Sequence, residues 1–357
     1  MLAGALFAAL LSMLWVPPSK EYLAYFDLRV LALLFCLMAV MAALQKVGFL
    51  QRIARVILER TKTIRSLGRV LVLLCFFSSM FITNDVALLT FVPLAIWILH
   101  GTEQDRAFIY VVVLQTIAAN LGSMLTPVGN PQNLFLYSHF QMPDAAFFAA
   151  TVPITAVGFL LLLAGCLLLP QKPVSVTFKR KAAPLSFRRL AVPFVLLAIC
   201  LLAVLRVLPY QAALFCVIAG IFFWDRKVFA GVDYALLATF VCFFVFVGNL
   251  GRIDAIHTLL EQLLAGRELL VSALVSQVIS NVPASVSLSG FTENARALLL
   301  GTNIGGVGTL VASLASLISY KLYAKLPGAK IGRYLLVFTV LNIGVFAFLL
   351  GVSYLIL

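Results

Sequence analysis

Eleven stretches of this chain are almost continuously apolar: residues 2–16, 27–47, 70–99, 106–125, 146–169, 190–208, 210–224, 232–248, 269–291, 295–320 and 334–356. Several are long enough to cross a bilayer core as a helix. The first is short, but it lacks a basic leader, and Trp15-Val16-Pro17-Pro18 is a poor small-residue cleavage site. The expectation there is a first span and not a signal peptide.

Two stretches carry polar residues where a spanning helix should not. Between Val70 and Leu99 the only charged residue is Asp85, which stands with Asn84 at the midpoint, in FITNDVALLT (81–90). A charge at the centre of a membrane helix costs roughly 2.5–3.5 kcal/mol. Residues 269–291 place Ser280-Asn281-Val282-Pro283 in the same position. Both polar pieces read as helix starts, with cap residues followed by an acid in one case and a proline in the other. A single helix over 70–99 would also be about 45 Å long, against a hydrocarbon core of ~30 Å. Each stretch is therefore expected to be a re-entrant hairpin with its tip near mid-membrane.

The helix after each hairpin is interrupted too. ANLGSMLTPVGNPQN (119–133) holds Gly122, Pro127, Gly129 and Pro131, which cannot share one helix, and TNIGGVGT (302–309) is its later counterpart. Aligned, Asn84 matches Asn281, Asn120 matches Asn303, and Gly122 matches Gly305. The fold class expected is an all-α polytopic membrane protein of two inverted repeats. Residues 1–170 hold a hairpin at 68–100 and a broken helix at 104–140. Residues 190–357 hold a hairpin at 267–291 and a broken helix at 292–320. A basic linker, 171–189, joins them, and the amphipathic stretch 47–69 is expected to lie at the membrane surface.

Charge then sets the orientation. The net charge of +13 could suggest nucleic acid, but membrane proteins gather Lys and Arg in cytoplasmic loops. With a cytoplasmic N-terminus and both hairpins re-entrant, 20 of the 26 basic residues fall in inside loops at 46–69, 100–106, 171–189, 225–227 and 321–333. If both segments spanned, that bias would vanish. The first hairpin then enters from the cytoplasm, the second from outside, and the C-terminus lies outside. The expected setting is the bacterial inner membrane, with the bilayer as partner and no nucleic acid. A composition of 63% hydrophobic and 11% charged residues excludes a soluble domain of this length. The six cysteines all lie in apolar segments without ligand spacing and read as small buried hydrophobes.

Paired interrupted segments at matching places in two halves mark the binding site of a secondary transporter. Helix N-termini suit an anion, and unwound carbonyls suit a cation. The candidates for binding a small anionic substrate are Thr83, Asn84, Ser280, Asn281, Asn133 and Thr309. Those for cation coupling are Asp85, Asn84, Asn120, Gly122, Ser123, Thr126, Asn130, Asn281, Asn303 and Gly305. Na⁺ is expected at Asn84/Asp85/Asn120 and Asn281/Asn303, or else a proton on Asp85; no other cofactor is expected. Asp85 is the only carboxylate expected deep in the membrane, and its counterpart is Val282. His100, His139 and His257 receive no role. An enzyme would need paired acids, an HExxH metal site or a nucleophile with a base, and none is present, so no residue is assigned to catalysis.

The segments TNDVALLTFVPL (83–94), NLGSMLTPVGNPQNLF (120–135), SQVISNVPAS (276–285) and GTNIGGVGTLVASLASLI (301–318) resemble the ion transporter superfamily. That group holds divalent-anion/Na⁺ symporters, citrate transporters, arsenite-efflux permeases and one class of Na⁺/H⁺ antiporters. The chain looks most like its short bacterial members, the YbiR-like anion permeases (SLC13-like). The resemblance implies a transport domain beside a scaffold, an elevator-like movement and a homodimer. It carries the tip asparagines over to Asn84 and Asn281, and the cation loops to Asn120–Asn130 and Asn303–Thr309. Dicarboxylate members have Ser-Asn-Thr at both tips, whereas this chain has Thr83-Asn84-Asp85 and Ser280-Asn281-Val282. The expected function is anion transport coupled to Na⁺ or H⁺. The alternative is cation/proton antiport or arsenite-type efflux through Asp85.

Overall fold

The apolar segments become helices in the computed structural model, which describes residues 2–100, 105–174, 176 and 187–356. The first half runs α1 (Leu2–Ser12), α2 (Leu28–Val47), α3 (Phe49–Leu58), α4 (Ile64–Ser79), α5 (Asn84–Leu99), α6 (Asp105–Ser123), α7 (Pro131–His139) and α8 (Asp144–Leu167). The second runs α9 (Phe187–Val204), α10 (Tyr210–Asp225), α11 (Tyr234–Gly251), α12 (Asp254–Leu264), α13 (Glu268–Ile279), α14 (Asn281–Ser289), α15 (Ala295–Gly305), α16 (Leu314–Ala324) and α17 (Ile331–Ile356). Among the described residues the only β pairing is one isolated bridge, Thr63 to Pro173. Among the described residues five helices (α2, α8, α11, α17 and α6 from Arg106) are individually long and apolar enough to cross a membrane. The protein is an all-helical polytopic membrane protein.

Both polar midpoints are helix breaks. Residues 80–83 separate α4 from α5, and Ser280 alone separates α13 from α14. The breaks in the following helices lie at 124–130, inside the stretch 119–133, and at 306–313, slightly later than the stretch 302–309. Asn120, Gly122, Ser123, Asn303 and Gly305 thus remain helical. At the two glycines the missing Cβ lets the hairpin approach the helix closely. A Cβ on Gly122 would lie 2.0 Å from the Phe76 carbonyl oxygen, and one on Gly305 would lie 2.5 Å from Ser276 Cβ.

The repeat extends further than the motifs. Each half has a short 3₁₀ turn before a long helix, Lys20–Tyr25 before α2 and Arg226–Gly231 before α11. Asp27 and Asp233 cap those helices by accepting from Val30 N and Leu236 N, both at 2.9 Å. The stretch 249–268, between two apolar segments, contains α12, which bends by 111° into α13 as α3 precedes α4. Helices α1 and α10 are exchanged, for α1 packs on α11 while α10 packs on α2. Helix α9 has no counterpart among the described residues. Helix α1 is 11 residues long, about 16 Å, so it covers only half of a bilayer core. Residues 101–104, 175 and 177–186, which include most of the basic linker, lie outside the described residues.

The two hairpins come from opposite ends of the bundle. Gly68 of α4 meets Val111 and Leu169, and His100 after α5 packs on Phe108, so the first hairpin starts and ends beside the start of α6. The base of the second shares a pocket with His139, two residues from Tyr137, whose hydroxyl donates to Asp144 at the start of α8. Helix α8 has 24 residues, about 36 Å, and separates those two levels. Helix α6 is the central post, largely buried along its apolar length where α17 is largely exposed.

Candidate functional site

Two tips arriving from opposite ends meet around one small cavity. It measures about 20 Å³ and is lined by Asn84, Asp85, Pro131, Gln132, Leu236, Ser280, Asn281, Val282, Ser313 and Leu314. Four helices, α5, α7, α14 and α16, begin at this cavity. Each N-terminus presents a partial positive charge and backbone N–H groups. A hub of that kind favours an anion.

The hub is held by matching bonds in the two halves. Asn84 N donates to Gly129 O at 3.2 Å, and Asn281 N to Ala312 O at 2.9 Å. Thr126 donates its hydroxyl to Met80 O, and Thr309 donates its own to Gln277 O at 2.9 Å. The side chains of Asn130 and Ser313 cap α7 and α16 by accepting from Asn133 N and Ser316 N, at 2.8 and 3.1 Å. An amide chain crosses between the repeats. Asn130 Nδ2 donates to Asn303 Oδ1 at 3.2 Å, and Asn303 Nδ2 donates to Asn133 Oδ1 at 2.6 Å. Asn84 Nδ2 donates to Asn120 Oδ1 at 3.1 Å.

The halves differ at Asp85. Its Oδ1 is buried and accepts no hydrogen bond. It also faces a larger cavity of about 180 Å³, bounded by α2, α5, α7, α11 and α16, whose lining includes Thr83, Asn130 and Asp233. A matching cavity of about 140 Å³ lies at the opposite end, lined by Asp27, Phe135, His139, Phe244, Val286 and Ser289 among others. It does not reach the tips. Phe135, buried and packed against Phe240, Phe244 and His139, stands across the way. The site is accessible from one end of the bundle and shut from the other.

Of the residues singled out from sequence, Asn84, Asp85, Ser280 and Asn281 line the inter-tip cavity, and Thr83, Asp85 and Asn130 line the larger one. Asn120, Ser123, Asn133 and Asn303 are buried in the amide network. Thr126 and Thr309 tie the breaks to the hairpins, and Gly122 and Gly305 make close contacts with them. Three residues escape sequence reading. Asp233 stands at the edge of an apolar segment and looks like a cap alone, yet it shares a cavity with Asp85. Gln132 lines the inter-tip cavity between two better-signalled asparagines. Gln277, three residues ahead of the Ser280 tip, holds the second break, and only pairing it with Met80 would have exposed it.

Comparison with known proteins agrees with this architecture. The citrate transporter family model matches residues 1–296. The uncharacterized transporter MJ0456 of Methanocaldococcus jannaschii is 33% identical over 314 residues, covering 85% of this chain and 83% of that one. Inner membrane protein YbiR of Escherichia coli is 31% identical over 307 residues, covering 85% and 82%. The silicon efflux transporter LSI3 of rice, Oryza sativa, is 31% identical over 158 residues, or 44% of this chain and 32% of its own length. In fold, the chain is similar to the YdaH transporter of Alcanivorax borkumensis, with a TM-score of 0.60 at 14% identity, over 94% of this chain and 86% of that one. Matched over most of its length by one family model and by two transporter-sized relatives, the chain belongs to the citrate transporter family of membrane transporters.

Proposed function

We propose that the protein is a secondary active carrier of a small anion, coupled to a cation or a proton at the Asp85 tip. The observation that carries this reading is the convergence of four helix N-termini on one cavity between two opposed tips. Asn84 and Asn281 offer amide donors to the anion, with Ser280 beside them. The tip acid and tip valine leave no room for the paired hydroxyls that would bind a dicarboxylate, so a small inorganic or monocarboxylate anion suits the site better.

The access geometry supports alternating access. Both cavities lie against α2 and α11, one toward each end of that pair, and the hairpins with α7 and α16 form the part between them. Movement of that part along α2 and α11 would close the cavity at Asp85 and open the one behind Phe135, which is an elevator-type step. A cytoplasmic side for the open cavity is supported by the positive-inside bias, since Lys46, Arg65, Arg226 and Lys330 stand at its end of the bundle. Efflux of a weak oxyacid is the second reading, and the acid at the tip together with the similarity to a silicon efflux transporter favours it.

The test is flux through proteoliposomes, with a panel of labelled anions (citrate, lactate, phosphate, sulfate, arsenate) under an imposed pH or Na⁺ gradient. Saturable uptake of lactate or one of the inorganic anions in preference to citrate, driven by a gradient and lost in Asn84→Ala and Asn281→Ala, is the expected result. No flux of any of them under either gradient would refute an anion carrier.

A further inference from the structure

Resemblance to Na⁺-coupled carriers implies a cation held by the loosened carbonyls of each broken helix. The residues present do not fit one. At the first break Asn133 Nδ2 lies 3.2, 3.0 and 3.0 Å from the carbonyl oxygens of Ser123, Met124 and Thr126. At the second, Gln277 Nε2 lies 2.8 and 3.2 Å from those of Gly305 and Val307, and 3.1 Å from that of Ala273. Each cradle already holds a side-chain amide nitrogen, and a cation at the same oxygens would face amide hydrogens.

Neither amide can be turned round. Asn133 Oδ1 accepts from Asn303 Nδ2, and Gln277 Oε1 accepts from Thr309 N at 2.8 Å. A flip would set oxygen against carbonyl oxygen in both breaks and waste those donors. The two plugs also come from different places, one from α7 and one from the first arm of the second hairpin, since the position equivalent to Gln277 is Met80. Each break thus satisfies its own carbonyls by a separate route.

What lacks a partner at the cavities is the acid. Asp85 Oδ1 is a buried acceptor without a donor, a state that a cation or a proton relieves. The ionisable group facing it across the larger cavity is Asp233 on α11. From α2, α7, α14 and α16 (Lys321 included) no ionisable side chain lines either cavity, and none of Arg52, Arg55, Arg65, Arg69 and Arg106 on the other packed helices does so.

Resting on the carrier reading, we infer that the coupling ion is a proton bound by Asp85 and not Na⁺, with the carbonyl cradles closed by Asn133 and Gln277. A proton from cavity water adds to Asp85 Oδ1 on one side of the membrane and returns to water on the other. Ionised, the Asp85 carboxylate itself answers the positive helix ends. Neutral, it leaves them to the substrate anion, so proton and anion bind together. Asp233, at the mouth of the same cavity, is the first carboxylate a proton from that side meets.

Two measurements on the whole protein decide this. In the first, melting of the purified protein is followed in NaCl and in choline chloride at equal ionic strength, at acid and at alkaline pH. The expected result is no Na⁺-specific shift, and a pH-dependent shift that Asp85→Asn reduces. A Na⁺-specific rise in the wild-type protein overturns the inference, whatever the protein transports. In the second, proteoliposome uptake of the same anion panel is driven by a pH gradient in Na⁺-free buffer and by a Na⁺ gradient at clamped pH. Uptake under the pH gradient alone, lost in Asp85→Asn, is expected. Uptake under the Na⁺ gradient alone overturns proton coupling and leaves the carrier reading standing, whereas no uptake under either overturns the carrier reading and leaves the melting measurement to judge the ion.

Discussion

Replacing Gly122 by Ala probes the contact on which the first hairpin's position depends. The added Cβ would stand 2.0 Å from the Phe76 carbonyl oxygen and 2.5 Å from Ser79 Oγ. The serine can rotate, but the carbonyl belongs to α4 and must retreat by about 1 Å, taking the hairpin with it. Overpacking of a well-filled contact costs about 1–3 kcal/mol, and a clash with backbone belongs at the upper end of that range. The pseudo-equivalent Gly305→Ala meets Ser276 Cβ at 2.5 Å but the Ala273 carbonyl oxygen only at 3.0 Å, so it should cost less, about 1–2 kcal/mol. Gly344→Ala, on α17 with nothing within 4 Å, is the control and should change stability by no more than about 0.5 kcal/mol. Thermal unfolding of the three purified variants gives the order. A Gly122→Ala protein that melts with the Gly344→Ala control would show that α4 and α6 do not approach so closely, and the tip would then not be fixed by this contact.

Other expectations rest on the same geometry. Ser280 holds φ at +79°, a left-handed conformation costing a non-glycine residue of order 1–3 kcal/mol, so Ser280→Gly should raise the melting temperature; a fall would mean that the hydroxyl's bond to Ala312 O outweighs the strain. Gln277→Ala strands the carbonyls of Gly305 and Val307 and should destabilise by about 1–3 kcal/mol, read by the same melts; a wild-type melting temperature would contradict the plugged cradle. Phe135→Ala should let a membrane-impermeant thiol reagent, added from the side of Glu293, reach a cysteine placed at Asn281, and labelling equal to that with Phe135 intact would remove Phe135 as the barrier. Single cysteines at Glu59 and Lys325 should be labelled from one side of the membrane, and those at Gln141 and Glu293 from the other; any other pairing breaks the opposed-hairpin topology.

Much of the architecture was written in local chemistry. Length, hydropathy and mid-segment cap residues sufficed to place both hairpins and both broken helices, because a cap next to a proline or an acid starts a helix whatever surrounds it. The tip residues Asn84, Asp85, Ser280 and Asn281 were legible for the same reason, polar side chains in apolar stretches being costly without a use. The destinations of the other polar residues were not legible. Asn133 and Gln277 turned inward to carbonyls, Asp233 joined Asp85 across a cavity, and Phe135 closed one approach to the site. These outcomes depend on which groups meet across repeats, on separations such as the 170 residues between Asn133 and Asn303, and no local propensity encodes them. An amide in a sequence is equally able to bind a ligand or to satisfy its own backbone, and only the packed structure decides which acceptors lie within 3 Å of it.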